Sequence, residues 1–544
     1  MRERRVQEKR MARVGEARAC LAVGVVMRDR SDRLVVLSQN VFPATGTGSL
    51  DGFVATEGNR IVAVGPRGDA RPYVDAATRV IDAGERTVLP GMTDNHTFFA
   101  GWALLSLGCD LSHAHDVRVA IEALLAFAQP LGEGEPVFGH GWNAGDFGPD
   151  AASILDEAFP DRPVVAFTAD RGTCWMNTAA RERYGFSPDE CYAEKTWRMM
   201  GDYLRDPRMR GLYHQYMRML NARGITQIKE MTFDDYYGFA DVMERMERDD
   251  ELTVRVSMMS QPVGRGMDLE HGRRMRERFR GPFVSFSGFN RMTDRSIGSG
   301  MAELKEPYLD DPGSRCGASV EWGLIEDELE AADDAGFRYS LHCQGDAAVA
   351  HVVELYGRCR KGDSGRLLQR HAITDLELAD PEDIERLGAL GGVCEVYPQI
   401  QSLDKKADLL AMVSRKIGPK RFGHYWMRRQ MWDAGCKVAC GTDLPLMLPS
   451  IGEAIYCGCG GHFDDGGTAR EENMLTVPEM LLAWTANGAY DCYAEDRLGT
   501  LEPGKLADIV VLEADVLHAD PADVREVNAA LTVSDGRVAY DGLT

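Results

Sequence analysis

The sequence predicts an α/β protein, a (β/α)8 TIM-like barrel with a smaller β-rich satellite, and three observations predict it. The chain has 544 residues, more than one ordinary domain and enough for a large barrel with one companion. Both ends are β-rich. Between them, apolar strand-like runs alternate with helical stretches over some 400 residues, a pattern that favours parallel βα units and, at this length, a closed barrel. Near the start, Leu34 to Gln39, Gly52 to Glu57 and Asn59 to Val64 are short β-rich runs separated by Gly, Asn and Asp. The barrel runs follow: Val164 to Phe167, Ile225 to Ile228, Val254 to Met258, Phe283 to Ser287, Tyr339 to His342 and Lys437 to Cys440. The far end returns to β texture in Asp508 to Glu513, Ala529 to Val533 and Gly536 to Tyr540.

Composition narrows the class. Apolar residues at 44% are ample for a sizeable core, and the net charge of −23 argues against nucleic acid or an anionic membrane surface, since both would be repelled. A soluble cytoplasmic enzyme acting on a small molecule is expected, with a homodimer left open. Thirteen cysteines lack the spacing of a disulfide framework and read as reduced and mostly buried. Residues 1–33 form an extension expected to be mobile. Its basic start followed by the apolar run Ala19 to Met27 resembles a signal peptide, but the run is short and lacks a convincing cleavage site. A start at Met11 or Met27 is the favoured alternative.

The chemistry enters where polar residues stand just past strand ends, the place where barrel enzymes put their active sites. Four such places are Val88-Leu-Pro-Gly-Met-Thr-Asp-Asn-His96-Thr-Phe98, Leu341-His342-Cys-Gln-Gly-Asp346, Gln369-Arg-His371-Ala and Val438-Ala-Cys-Gly-Thr-Asp443-Leu-Pro445. A closing segment runs from Arg497 through Gly-Thr-Leu-Glu-Pro-Gly-Lys-Leu-Ala-Asp to Val511.

In this order the segments resemble the amidohydrolase superfamily, and within it amidohydrolase family 3, which contains N-substituted formamide deformylases and metal-dependent hydrolases. The resemblance runs from about residue 35 to the end. It implies that residues 34–90 and 495–544 form a β-sandwich domain from both chain ends, flanking a barrel at 91–494. It also implies a metal-activated water as nucleophile. His96, His342 and His371 match family ligands from the first, fifth and sixth strands. Asp443 matches the eighth-strand Asp that shuttles the proton. Two positions depart from the family. Phe98 stands where a second first-strand His belongs, and a phenyl ring has no lone pair to give. Ser285 falls near the bridging lysine of the fourth strand, and no Lys occurs between Phe283 and Met301. One divalent metal is therefore expected, zinc first and manganese or iron next, held by His96, His342, Asp443 and His371; a metal-free site is the alternative.

The expected reaction is hydrolysis of a C–N bond in an amide, N-acyl or formamide-like molecule, with Asp443, His371 and His342 catalytic. The alternative is a non-hydrolytic decarboxylase, lyase or isomerase on the same barrel. Phe98, Trp142, Phe289 and Trp175 are candidate substrate-binding residues, although aromatic side chains more often simply pack. Cys457-Gly-Cys459-Gly-Gly-His462 could reach the mouth or be a bare glycine loop. His113-Ala-His115 reads as chance spacing, Cys343 as packing and Asp346 as a loop brace. Lys229-Glu230, at the end of the third-strand candidate, could contact substrate or metal, with an ordinary salt-bridged pair as the plainer reading.

Overall fold

A computed structural model describes residues 33–543 except 107, 170–172, 191–195, 197–198, 203, 205–207, 234–236 and 263–264; the N-terminal extension thus lies almost wholly outside the described residues. The chain divides into two compact units, residues 98–215 with 232–246 and the remainder.

In the larger unit both chain ends meet in one sheet. Its strands are β1 (Arg33–Val41), β2 (Leu50–Glu57), β3 (Arg60–Pro66), β4 (Arg79–Asp82), β5 (Thr87–Pro90), β18 (Ile509–Leu512), β19 (Ala529–Ser534) and β20 (Arg537–Asp541). The order is β20-β19-β18-β5-β1-β2-β3, with β4 paired to β1. The strands share one hydrogen-bonded path, and its β3 end folds back on the returning chain, with Arg60 bridged to Leu506. One face buries Val36, Val54, Val88, Ile509, Val511, Leu531 and Val533 together. These β-branched residues and leucines fill a pleated, covered surface well.

The second sheet of this unit is parallel and eight-stranded: β6 (Met92–Thr97), β11 (Ile225–Met231), β12 (Arg255–Ser260), β13 (Val284–Met292), β14 (Arg338–His342), β15 (Ala372–Thr374), β16 (Val393–Val396) and β17 (Lys437–Cys440). A parallel bridge between Thr97 and Leu444 joins its two edges and closes the barrel. Gly91 marks the passage from end sheet to barrel. A Cβ there would fall 2.1 Å from Thr226 Oγ1 and 2.9 Å from Asp508 Cβ, so only glycine fits. Arg255 at the barrel foot pairs with Asp508 at 2.5 Å and Asp535 at 2.9 Å, which ties the sheet's returning strands to the barrel.

The smaller unit holds a four-stranded sheet of order β10-β9-β8-β7, formed by β7 (Cys109–Asp110), β8 (Val137–Trp142), β9 (Val164–Thr168) and β10 (Cys174–Met176). The run Val164 to Phe167 is therefore not a barrel strand, because a covered parallel insert carries the same apolar signal. Trp142 stacks on Phe147 at 4.6 Å and meets Trp175 edge-on at 6.3 Å. Their indole N–H groups donate to the carbonyls of Ala166 and Ala151. Both tryptophans are thus core of this unit and not pocket wall. Among the described residues no helix is long and apolar enough to cross a membrane.

The barrel register corrects three further readings. Phe289 pairs with Tyr339, one residue out of phase with His342, and its ring packs on Phe286 and Phe337 outside the barrel wall. Ser285 is the second residue of β13, at the foot, far from the level of a bridging ligand. His371 precedes β15 and is also at the foot. Its Nδ1 accepts from the Tyr339 backbone N–H at 3.1 Å, so Nε2 carries the proton and faces Asp333 Oδ1 at 3.1 Å. Both ring nitrogens are used structurally.

Two outcomes follow from this architecture. Deleting residues 500–544 should expose the β5 edge and the valine face and cause aggregation; a soluble, active truncation, measured by sedimentation and turnover, would contradict it. His371→Ala should lower unfolding free energy by about 1–3 kcal/mol, read in a urea titration, with kcat of the folded fraction within about threefold of wild type.

Candidate functional site

The carboxyl ends of the barrel strands define one mouth, and its polar groups come from six strands. β6 delivers His96 and β14 ends on His342. Asp375 stands one residue past β15 and Tyr397 one past β16. Asp443 follows β17 with a positive φ of 50°, held by the sharp turn before Pro445. Gly441 beneath it lies so near that a Cβ would meet His96 Cβ at 2.9 Å and Tyr397 Cε1 at 3.0 Å. Bare backbone here lets β17 approach the first strand.

His342 is flanked by carboxylates at both ring nitrogens. Its Nε2 lies 2.8 Å from Asp375 Oδ2 and its Nδ1 3.9 Å from Asp294 Oδ1. Asp294, just past β13, accepts backbone N–H groups from Glu303, Gln344 and Gly345 at 2.8–2.9 Å, so it cannot swing away. Burial disfavours the imidazolium, but the Asp375 hydrogen bond and the charges of Asp375, Asp294 and Asp443 outweigh it and raise the pKa to about 9. Asp375 is the reciprocal case. Burial would raise it, yet His342, the Gln344 amide at 2.6 Å and His96 hold it below the usual carboxylate range. Asp94 is fully buried, and desolvation lifts its pKa to about 7 against hydrogen bonds from Thr442 and the His96 backbone. Burial, followed by the charges of Asp375, Asp443, Glu395 and Asp94, pushes the Tyr397 phenol well up, which marks where these carboxylates converge.

Beneath the mouth runs a buried chain of charges. Glu395 on β16 lies 3.4 Å from His96 Nδ1 through one oxygen and binds Lys229 of β11 through the other. Lys229 also reaches Asp491 at 2.6 Å, and Asp491 pairs with Arg338 of β14 at 2.7 Å. The Asn95 amide donates to Asp491 at 2.8 Å. These links cross between non-adjacent strands and so occupy the barrel interior.

Sequence reading brings His96, His342 and Asp443 to this mouth. It misses Asp294, Asp375 and Glu395, and it misplaces Lys229. Lys229-Glu230 stands on the second barrel strand, and the two are not paired to each other, since Glu230 accepts from Thr97 Oγ1 at 2.8 Å. Cys343 is buried with its thiol pushed well up by burial, and Asp346 braces the loop by accepting the Lys305 N–H at 3.0 Å. Cys457 is buried in helix Ile451–Gly458, Cys459 has its thiol pushed up by burial, and His462 stacks on Tyr456 at 4.5 Å. A lone Glu inside the apolar run Val393–Val396, and an acid directly after the strand Ala372–Thr374, were the available signals.

Two imidazoles and nearby carboxylates are donor types that suit one divalent ion. The buried Nδ1 of His342 has no hydrogen-bond partner and could offer a lone pair to a cation only once the ring has lost its proton. The mouth is not a closed cage, however: among the described residues, the one His/Cys/Asp/Glu triplet with ligand atoms within 4.8 Å is Asp333, Cys359 and His371. There His371 has no lone pair left to offer, so this foot cluster is structural. Phe98 packs on Phe233 at 5.5 Å and offers no lone pair. On β13, the polar residue in phase with His342 is Asn290, paired to Ser340 and donating to Gln261 at 2.9 Å.

Comparison with known proteins places this geometry. The model of the amidohydrolase family matches residues 79–540. A Bacillus subtilis (strain 168) protein named amidohydrolase YtcJ is 25% identical over 86% of this chain and 92% of its own. The N-substituted formamide deformylase of Arthrobacter pascens is 21% identical over 95% of this chain and 99% of its own. A metal-dependent hydrolase from Pyrococcus horikoshii OT3 shares the fold, with a TM-score of 0.68 at 18% identity over 91% of this chain and 99% of that one. With its family model spanning barrel and end sheet alike, the chain belongs to the amidohydrolase family.

Proposed function

We propose that the protein hydrolyses a C–N bond of a small amide, N-acyl or formamide-like molecule at the barrel mouth. The observation that carries this reading is His342 clamped by Asp375 beside the pinned Asp294, with the Asp443 charge close enough to act on it. The deformylase relative supports the bond type.

Hydrolysis needs a proton taken from water and a proton given to the leaving nitrogen. Asp443 is the carboxylate at the mouth that can take the first and return it, while Asp375 and Asp294 fix the ring of His342. One ion, zinc first and manganese or iron next, would be held by His96, His342 and Asp443, and when bound it would supply an acidified water at neutral pH. Phe98, with no lone pair where a second first-strand His would stand, supports occupancy by one ion. The same His342–Asp375 pair, able to carry and release a proton unaided, favours a metal-independent or non-hydrolytic enzyme as the second reading. Undiminished turnover by metal-free protein in strong chelator would select it.

Asp443→Asn should reduce kcat on an N-substituted formamide by roughly 10²–10⁴-fold with the thermal midpoint unchanged; a variant keeping more than about a tenth of wild-type turnover removes Asp443 from the chemistry. Metal loading should depend on pH with a defined sign. His342 must lose its proton to ligate, and that proton is held up to about pH 9. Apparent manganese affinity should therefore rise about tenfold per pH unit from 7 to 9 and then level off. Competition titration checks this, with one equivalent bound; a flat profile or two equivalents would contradict it.

A further inference from the structure

We propose that Glu395 is a positioning residue, locked by Lys229 and Asp491, that keeps the His96 proton on Nδ1 and so fixes the tautomer of the ring at the mouth. The inference deepens the hydrolase reading and rests on it.

Three observations on named atoms carry it. The carboxylate of Glu395 uses both oxygens, one on Lys229 Nζ and the other 3.4 Å from His96 Nδ1. A carboxylate facing a ring nitrogen accepts, so the proton sits on that nitrogen. Glu395 has no freedom to choose otherwise. It is fully buried, and Lys229, also fully buried, is fixed from below by Asp491 at 2.6 Å. Asp491 is in turn held by Arg338 at 2.7 Å and Asn95 at 2.8 Å. Two cations and two carboxylates cancel along this chain, which leaves Glu395 a neutralised and rigid hydrogen-bond acceptor. The ring of His96 is steadied from its other flank by Tyr397, 5.6 Å away, and by the bare backbone of Gly441. His342 is gripped differently, by carboxylates that, among the described residues, have no lysine or arginine partner of their own. The two histidines are thus held by different kinds of partner, one by carboxylates without a cationic side chain and the other by a carboxylate already neutralised. Groups whose surroundings separate them in this way are the usual mark of distinct roles.

The test uses full-length protein labelled with ¹⁵N-histidine, with the His96 ring signals assigned by their loss in His96→Gln. In wild type the long-range proton–nitrogen correlation should show the protonated nitrogen of His96 at Nδ1. Glu395→Gln can turn its amide N–H₂ towards the ring and donate, so the proton should move to Nε2. Turnover of N-benzylformamide should fall roughly 10–100-fold, mainly in kcat, with KM within about threefold. Because Glu395→Gln leaves Lys229 partly uncompensated and can lose stability, the charge-balanced double variant Lys229→Met/Glu395→Gln is measured beside it. It too should lose the Nδ1 proton preference. A wild-type proton on Nε2, or an unchanged His96 tautomer in whichever of the two variants is folded, overturns the proposal. Absence of turnover in wild type, with the tautomer shifting as expected, would fault the hydrolase reading and leave the positioning role standing.

Discussion

The buried tetrad of Lys229, Glu395, Asp491 and Arg338 is the interaction on which the rest of the barrel depends. Two cations and two carboxylates sealed from water are tolerable only as a set. Removing any one leaves an uncompensated interior charge, a loss of about 3–5 kcal/mol in a molecule whose whole stability is of the order of 5–15 kcal/mol. The tetrad draws on strands β11, β14 and β16 and on helix Ala486–Asp491, so its completion fixes the relative heights of elements far apart in sequence. Those heights decide which residues emerge at the mouth.

The mouth inherits its electrostatics from that choice. Carboxylates above the tetrad meet one imidazole whose proton they retain, while the neutralised carboxylate within it meets another. Burial pushes the thiols of Cys343, Cys440 and Cys459 up.

Much of the fold was legible in the sequence because it is written in local patterns. The parallel alternation from Ile225 to Cys440 is carried by short apolar runs, and the texture of both ends by β-rich runs between turn residues; both signals survive without context. The insert at 109–176 was not separable, since its strands bury both faces just as barrel strands do. At the site, His96, His342 and Asp443 were legible from short motifs that end strands. His371 was misread because a motif does not reveal which end of a three-residue strand it occupies; the mouth lies at Asp375, four residues on. Glu395, Lys229 and Asp491 were invisible as a group, since nothing in one dimension says that positions 229, 395 and 491 meet. Aromatic residues misled for the opposite reason: Trp142, Trp175 and Phe289 fill cores, as such rings most often do.

The sheet that joins the two chain ends has a consequence for biosynthesis. β5 is complete at Pro90, but its antiparallel partner begins at Ile509. At ribosomal rates of about 5–20 residues per second, the N-terminal strands wait roughly 20–80 s before that partner emerges. Arg255 waits as well, unpaired until Asp508 and Asp535 arrive. For that interval the nascent chain carries an open strand edge and a naked valine face, the features that chaperones recognise and that neighbouring nascent chains on a polysome can mispair with.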